Sequence, residues 1–264
     1  MSTEPRLALV TGASAGIGRE ITLSLARQGM RVVACARGKR ALAALAREAQ
    51  EESLRVVVFS CDVTREAEVR KLAVFVRREC GGVLDVLVNN AGGHRAFGEF
   101  EDLTVADWEQ AYALNVLSVV RMTRALLPLL RRSKRAPGIV NLASAVALSP
   151  GAFHPHYSAA KAALLNLSVY LAKRYGPEGI RVNAVAPGTI TGPAWDRNVA
   201  ACARDRRMTH AAAERFSRER QLAKIPLRRL GEAADVAAAV AFLASASAAW
   251  ISGVCIPVDG GATR

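Results

Sequence analysis

The chain has 264 residues, of which 51% are hydrophobic, and this is enough to fill one sizeable core. We therefore expect a single domain that spans residues 1–264. Residues 1–6 carry no long apolar run, and we expect no later segment to approach the roughly 18 to 20 apolar residues that a bilayer span needs. The composition favours a soluble, cytoplasmic protein over a membrane protein.

Basic residues outnumber acidic ones by 36 to 23, which gives a formal net charge of +13. Such an excess suits an acidic partner, such as nucleic acid, an acyl-carrier protein or anionic lipid. Nearly half of the excess falls within residues 196–229, where nine Arg and one Lys stand against four acids. We find no zinc-finger or RNP-like motif, and so do not expect nucleic-acid binding as the main role.

The five cysteines are odd in number and scattered, and none are spaced as CxxC. This pattern argues against both a disulfide framework and a zinc site. We predict reduced thiols that serve as packing residues, and no metal site. The cysteines are Cys35, Cys61, Cys80, Cys202 and Cys255.

The first apolar run, Leu7–Thr11, leads into a glycine-rich loop with the spacing GxxxGxG and then into a segment with apolar residues at helical spacing. Such a loop leaves backbone N–H groups unblocked at the positive end of a helix dipole, where a diphosphate can bind. The alternative is a glycine-rich turn that binds no ligand. The candidate cofactor contacts in this loop are Gly12, Ser14, Gly16, Ile17 and Gly18.

Six further strand-like runs alternate with helical segments, and most of them are apolar on both faces, as a parallel sheet covered by helices requires. The pattern predicts a doubly wound α/β fold of the Rossmann type with a seven-stranded parallel sheet. A long, mostly polar segment follows the sixth strand, and we expect residues 189–225 to form a substrate lid with two helices. The seven predicted strands are Leu7–Thr11, Arg31–Ala36, Arg55–Ser60, Val83–Asn89, Gly138–Ser144, Arg181–Pro187 and Gly253–Val258.

The end of the second strand bears on the choice of cofactor. An acidic side chain here would accept hydrogen bonds from the adenosine ribose 2′-OH, whereas a cation would hold a 2′-phosphate. Ala36 lacks the acid and Arg37 supplies the cation, so the sequence favours NADP(H) over NAD(H); the alternative is that Arg37 lies in a solvated loop. After the third strand, Asp62 and its neighbour Val63 are candidate adenine contacts, although Asp62 suits a helix cap near Thr64 equally well.

The fourth strand ends in Asn89-Asn90-Ala91-Gly92-Gly93. Small residues at the carboxyl end of a strand let a ligand lie against the backbone, which makes Asn89, Ala91 and Gly92 candidate cofactor contacts; the alternative is a turn at the end of the sheet. A helix predicted over residues 105–131 carries Asn115 in an apolar region. An amide there needs hydrogen-bond partners, and taken alone it suggests a structural role.

Ser144 ends the fifth strand, and a helix that starts near Pro155 places Tyr157 and Lys161 one turn apart on one face. An ammonium beside a phenol favours the phenolate, so Tyr157 becomes a usable acid or base nearer to neutrality. Ser144 is then placed to hydrogen-bond a substrate oxygen. A YxxxK pattern alone is common on helices, but this one follows a strand-terminal serine in a sheet with a phosphate-binding loop.

Over nearly its whole length the sequence resembles the single-domain short-chain dehydrogenase/reductase family. The resemblance implies a catalytic tetrad in which Tyr157 is the general acid/base, Lys161 lowers its pKa and binds the nicotinamide ribose, Ser144 polarises the carbonyl, and Asn115 holds a water that links Lys161 to solvent. The motifs that carry it are Thr11-Gly12-xxx-Gly16-x-Gly18, Asn89-Asn90-Ala91-Gly92, Asn115, Ser144, Tyr157-xxx-Lys161, Pro187-Gly188 and Val258-Asp259-Gly260-Gly261.

Two positions depart from the family pattern. The slot before the second loop glycine, basic in some NADP-preferring members, is Ala15, so Arg37 must act alone or with Lys39 and Arg40. The slot four residues after Gly188, where the family commonly has a threonine that holds the nicotinamide amide, is Gly192. The resemblance thus makes Pro187, Gly188, Thr189 and Thr191 cofactor contacts, with Thr191 preferred as the amide anchor.

The length of the lid, the Asn89-Asn90-Ala91-Gly92-Gly93 run and the Pro226-Leu227-Arg228-Arg229-Leu230-Gly231 run resemble those of members that are similar to 3-oxoacyl-carrier-protein reductases. The family resemblance also implies a homotetramer or a homodimer. The expected function is NADPH-dependent reduction of a small-molecule ketone, with an acyl-carrier-linked substrate suited to the basic lid. The alternatives are an NAD-dependent alcohol or hydroxysteroid-type dehydrogenase, or a non-catalytic nucleotide-sensing protein. His94, Arg95, His154 and His156 fall near the expected pocket mouth, where a histidine either contacts substrate or lies at the surface or a helix start. Trp195 opens the lid, where a packing role is more common than a role in specificity.

Overall fold

The computed structural model describes residues 4–151 and 153–263, and its centre is a seven-stranded, wholly parallel sheet in the order β3-β2-β1-β4-β5-β6-β7. The sheet and its flanking helices confirm the predicted doubly wound α/β fold. The strands are β1 (Leu7–Thr11), β2 (Arg31–Ala36), β3 (Val56–Ser60), β4 (Val86–Asn89), β5 (Gly138–Leu142), β6 (Arg181–Pro187) and β7 (Cys255–Val258).

Helices cover both faces of the sheet, as a parallel sheet built from right-handed crossovers requires. The α-helices are α1 (Gly16–Arg27), α2 (Lys39–Glu51), α3 (Glu66–Glu79), α4 (Val105–Tyr112), α5 (Ser118–Leu130), α6 (Pro155–Tyr175), α7 (Pro193–Asp205), α8 (His210–Leu222) and α9 (Ala233–Ala244). Short 3₁₀ turns follow β5, α6 and α9.

Two apolar cores lie on opposite faces of the sheet. One packs α1, α2 and α9 against side chains such as Val10 and Val32, and the other packs α3, α5 and α6 against side chains such as Leu9 and Val33. Adjacent strand residues thus point into different cores, which explains why the central strands are apolar throughout. The edge strands β3 and β7 are only half-buried.

The helix predicted over residues 105–131 is interrupted by one turn of π-helix, Ala113–Leu117, between α4 and α5. The whole stretch, Val105–Leu130, is long and apolar enough to cross a membrane by length and composition, which corrects the expectation that no segment approaches a span. In the fold it packs beside the sheet, and 56% of its most apolar window is buried. Its apolar residues therefore serve the packing of a core helix.

Residues 189–225, the lid segment, contain the two predicted helices, α7 and α8. They enclose a small apolar cluster of their own around Trp195, Val199 and Ala213. Trp195 is therefore a packing residue of the lid segment. All five cysteines are free thiols.

A buried carboxylate ties the amino ends of β1 and β4 to the turn before β5. Asp85 accepts hydrogen bonds from the Leu7 N–H (2.7 Å), the Ser133 hydroxyl (2.6 Å) and the Arg135 guanidinium (2.8 Å to Nη2). A buried carboxylate is tolerated only with such complete hydrogen bonding. This network stabilises the edge of the sheet at which β1 and β4 begin.

Replacing Asp85 by Ala should lower the free energy of unfolding by roughly 2 to 4 kcal/mol, because it leaves a buried N–H and hydroxyl and a partly buried guanidinium without their acceptor. Urea unfolding followed by circular dichroism measures the change. Glu214→Ala, which removes an exposed ion pair with Arg218 on α8, is the control and should leave the midpoint unchanged. Equal midpoints for Asp85→Ala and wild type would contradict this account.

Candidate functional site

The glycine loop after β1 is held against the end of β4, where the strand order of the sheet changes direction. The Asn90 side chain donates to the carbonyls of Thr11 (2.8 Å) and Gly12 (3.2 Å), while the Thr11 hydroxyl accepts from the Ala91 N–H (2.9 Å). A Cβ at Gly18 would lie 2.3 Å from both the Asn90 amide nitrogen and the Gly12 oxygen. Only glycine fits at this position.

The start of α1 is open to an anion. Within the described chain, its N-cap residue Ala15 makes no side-chain cap, and its first turn contains no acid. Gly12 and Gly16 both have positive φ, the backbone form that the tight loop needs. The uncapped N–H groups and the dipole of α1 fit a diphosphate, and Ser14 and Ile17 are half-buried beside them.

At the ends of β2 and β3, Arg37 is exposed and lies near Asp62. Asp62 accepts hydrogen bonds from the N–H (2.9 Å) and hydroxyl (2.7 Å) of Thr64, and α3 begins at Glu66. Burial raises the pKa of Asp62, but these hydrogen bonds and the Arg37 charge outweigh it and leave the pKa below its usual value. One carboxylate oxygen is thus committed to a local turn, while the Val63 side chain is buried in the core.

The structure brings Ser144 close to Tyr157. Ser144 follows β5, and the first turn of α6 carries Tyr157 into the range where the two hydroxyl groups interact. Burial raises the pKa of Tyr157, and the nearby Ser144 hydroxyl lowers it in part. The Ser158 hydroxyl fixes α6 in this position by donating to the Val146 carbonyl (2.7 Å).

Lys161 is buried one helical turn after Tyr157, with its Nζ 5.7 Å from the centre of the tyrosine ring. Nζ donates to the Leu142 carbonyl at 2.6 Å. Burial lowers the pKa of Lys161 to about 7. The ammonium is thus destabilised by burial and directed at a carbonyl, and the causes that shift the pKa of Tyr157 are burial and Ser144.

Asn115, the remaining member of the tetrad that the resemblance implies, lies in the π-helical turn. Its amide nitrogen donates to the carbonyls of Gly93 (2.8 Å) and Ala111 (2.8 Å), and its oxygen accepts from the Gly93 N–H (2.9 Å). A Cβ at Gly92 would lie 2.8 Å from the Asn115 oxygen and 2.9 Å from Lys161 Nζ. The missing side chain at Gly92 thus lets these two polar groups approach the end of β4.

Several predicted cofactor contacts have protein partners instead. The Asn89 amide donates to Asn141 (2.9 Å) inside the sheet, so its side chain does not face the groove. The Thr189 hydroxyl donates to Gln221 (3.1 Å) and the Thr191 hydroxyl to the Gly231 carbonyl (3.3 Å). Pro187 ends β6, and a Cβ on the next residue, Gly188, would lie 2.8 Å from Asp259, so that glycine serves close backbone packing.

The structure also assigns places to the remaining residues near the site. His94, His154 and His156 gather beside Tyr157, whereas Arg95 is exposed. Sequence reasoning missed the Leu142 carbonyl, the Gly93 backbone pair and the role of Asn90. The side-by-side amides of Asn89 and Asn90 were a usable signal, because two amides at one strand end both need partners.

Burial of the Lys161 ammonium lowers the free energy of unfolding. Because its pKa falls from 10.5 in the unfolded chain to about 7 in the folded one, the unfolded state binds more protons between these values, and stability rises with pH across this range. Lys161→Met should be more stable than wild type at pH 6, and this gain should shrink by roughly 3 to 5 kcal/mol toward pH 10.

Denaturant unfolding of both proteins across this pH range measures the difference in their free energies of unfolding. The other titrating groups are the same in both proteins, so their contributions cancel in this difference. Lys173→Met, at an exposed position on the last turn of the same helix, is the matched control. If the difference in free energy of unfolding between Lys161→Met and wild type does not vary with pH, the claim that burial lowers the pKa of Lys161 is wrong.

Residues 12–263 match the family model described as Enoyl-(Acyl carrier protein) reductase. The chain is 32% identical to the 3-oxoacyl-[acyl-carrier-protein] reductase FabG of Thermotoga maritima, covering 99% of each chain. It is also 32% identical to the 7alpha-hydroxysteroid dehydrogenase of Escherichia coli, covering 98% of this chain and 94% of that one.

The fold is similar to a crystal structure of a single-residue variant of the actinorhodin polyketide ketoreductase with NADPH. The match covers 100% of both chains with a TM-score of 0.91 and 30% identity. The chain belongs to the short-chain dehydrogenase/reductase family of oxidoreductases.

Proposed function

We propose that this oxidoreductase is an NADPH-dependent carbonyl reductase that converts a ketone to an alcohol, with Tyr157 as the general acid. The observation that carries the proposal is the placement of the Ser144 hydroxyl beside Tyr157, with the buried Lys161 one turn away. This group lies at the carboxyl edge of the sheet, beside a glycine loop built for a diphosphate.

The protein groups present fit NADPH. The open start of α1 suits the diphosphate, and the exposed Arg37, with Lys39 and Arg40 in the first turn of α2, suits a 2′-phosphate. When bound, NADPH supplies the hydride that adds to the carbonyl carbon. The residues that we propose to line its site are Gly12, Ser14, Gly16, Ile17, Gly18, Arg37, Asp62, Val63, Asn89, Ala91, Gly92, Tyr157, Lys161, Pro187, Gly188, Thr189 and Thr191, with Asn89, Val63 and Gly188 contributing through the backbone.

The side chains divide the remaining work. The Ser144 hydroxyl binds the carbonyl oxygen, and the Tyr157 hydroxyl gives that oxygen its proton as negative charge develops. With a pKa near 7, Lys161 holds or releases a proton close to neutral pH and replenishes Tyr157. The Asn115 oxygen retains one acceptor position, which suits a water between Lys161 and solvent.

The basic lid segment supports a more specific substrate, a 3-oxoacyl thioester presented on an acidic carrier, because the lid's charge complements such a partner. The likeness to a 3-oxoacyl-[acyl-carrier-protein] reductase points the same way. We further propose a cytoplasmic homotetramer or homodimer. It is supported by exposed apolar residues on the α4 to α6 surface, namely Tyr112, Leu117, Val169 and Tyr170.

A second candidate is an NAD-dependent alcohol or hydroxysteroid-type dehydrogenase, which uses the same residues in reverse. The 7alpha-hydroxysteroid dehydrogenase relative favours it. Arg37 argues against it, because a dehydrogenase that uses NAD gains nothing from a cation at the ribose 2′ position.

Removing the tyrosine hydroxyl tests the reductase. Tyr157→Phe should lower kcat for NADPH-dependent reduction of a ketone panel, including a 3-oxoacyl thioester, by roughly 100-fold or more, because the proton donor is lost. Absorbance at 340 nm measures NADPH consumption. Tyr170→Phe, on the exposed face of the same helix, should retain full activity. If wild type and Tyr157→Phe are equally inert but bind NADPH, the nucleotide-sensing alternative gains.

Reversing one charge tests the cofactor. Arg37→Asp should raise the KM for NADPH by roughly tenfold or more and lower the KM for NADH, because the variant repels a 2′-phosphate and accepts from a 2′-OH. Steady-state rates with both cofactors give the ratio. Arg47→Asp, exposed farther along α2, is the matched charge reversal and should leave the ratio unchanged. A wild type that prefers NADH would favour the dehydrogenase.

A further inference from the structure

Four aromatic rings form a continuous surface beside the reacting hydroxyl. The imidazoles of His94 and His154 stack with centroids 4.1 Å apart and 24° between their planes, and the His94 centroid lies 5.1 Å from that of Tyr157. Phe97 meets both imidazoles edge-on, at 4.9 and 5.1 Å. We call His94, Phe97, His154 and Tyr157 the aromatic wall.

The aromatic wall lies at the carboxyl edge of the sheet, beside Tyr157. His94 and Phe97 lie in the loop after β4, and His154 immediately precedes α6, so both loops lie at the carboxyl edge of the sheet. Arg197 of α7 is close enough for its charge to act on His94. Phe153, half-exposed, continues the surface outward, 6.2 Å from the His154 ring. A substrate whose carbonyl reaches Tyr157 therefore lies against these rings.

The two imidazoles form a neutral surface. Burial lowers the pKa of His94 and brings that of His154 to about 4, so neither ring carries a charge near neutral pH. A neutral stacked pair offers flat π faces and edges, and does not offer the charge that would hold a carboxylate or phosphate.

The chain keeps this arrangement despite backbone strain. His154 has φ 62° and ψ 47°, the left-handed form that residues other than glycine rarely adopt. Its N–H donates to the Gly98 carbonyl at 3.0 Å, and the stack with His94 fixes its ring. Strain of this kind persists at sites where the conformation serves a function.

We propose that the aromatic wall makes His94 and His154 specificity-determining residues that select, among ketones and among 3-oxoacyl thioesters alike, those carrying a planar aromatic ring near the carbonyl over flexible or puckered aliphatic ones. The inference rests on the proposed carbonyl reductase and names a substrate class for it. Aromatic pairs gain interaction beyond their buried area, whereas a saturated ring of equal size gains only the area.

Phenylacetone and cyclohexylacetone test this as a matched pair, because they share one carbon skeleton and neither carbonyl is conjugated. Wild-type kcat/KM, normalised to the rates of borohydride reduction, should favour phenylacetone by roughly two- to tenfold. His94→Leu, which replaces the ring by an aliphatic side chain, should bring the ratio near one. His94→Phe, which keeps a ring, should retain the preference.

The control is His210→Leu at the exposed start of α8, which should leave the ratio at the wild-type value. A wild-type ratio of one or less would overturn the proposal. A ratio that survives His94→Leu, or that is lost in His94→Phe or His210→Leu, would overturn it too. If His94→Leu does not fold, the wild-type ratio and His94→Phe decide.

Calorimetric binding of the same two ketones to the NADPH-loaded protein separates this inference from the proposed function. If the enzyme is inert but binds phenylacetone more tightly, and His94→Leu loses this preference, the reductase activity is refuted and the aromatic preference of the wall is supported. If both ketones are turned over with no preference in rate or binding, the aromatic preference is refuted and the reductase activity is supported.

Discussion

The site depends on one constraint, the burial of the Lys161 ammonium against the end of β5. Its Nζ has the Leu142 carbonyl as a partner at 2.6 Å, and burial lowers its pKa to about 7. An ammonium is held in such a place only if the surrounding packing is rigid. Two hydrogen bonds supply that rigidity by fixing α6 to β5 and the loop after it, one from Ser158 to Val146 and one from Asn141 to Ser168. The position of Tyr157 follows, because it lies one turn earlier on the same helix.

The π-helical turn is the second feature that shapes the site. An extra residue in one helical turn frees a carbonyl from the regular ladder, and π turns of this kind are frequent at functional sites. Here the Asn115 side chain donates to the Ala111 carbonyl and also clamps the Gly93 backbone. The sequence predicts a helix through this region, because its apolar pattern is helical on either side. It does not predict the extra residue, because the register is set by Gly93, which is distant in the chain.

This difference between local and distant partners explains what the sequence predicts and what it does not. Strand positions follow from local runs of apolar residues, and β1, β2 and β6 have the predicted bounds. Ser144, Tyr157 and Lys161 are predictable because their spacing along a strand end and a helix determines their geometry. The side-chain partners of Asn89 and Thr191 are not predictable in this way, because Asn89 donates to Asn141 and Thr191 donates to Gly231, which lie far away in the chain. Which of two possible partners an amide or hydroxyl takes depends on the whole fold.

His154 links the proposed substrate contact to the proposed proton donor, because it belongs to the histidine stack and also begins α6. The carbonyl of His154 accepts the N–H groups of Tyr157 (3.1 Å) and Ser158 (3.0 Å), so the strained residue of the histidine stack is also the first anchor of α6, the helix that carries Tyr157. Glycine would relax the left-handed backbone but would remove the ring that stacks on His94. In our proposal, one residue at the start of α6 thus contributes its ring to substrate recognition and its backbone to the placement of the proton donor.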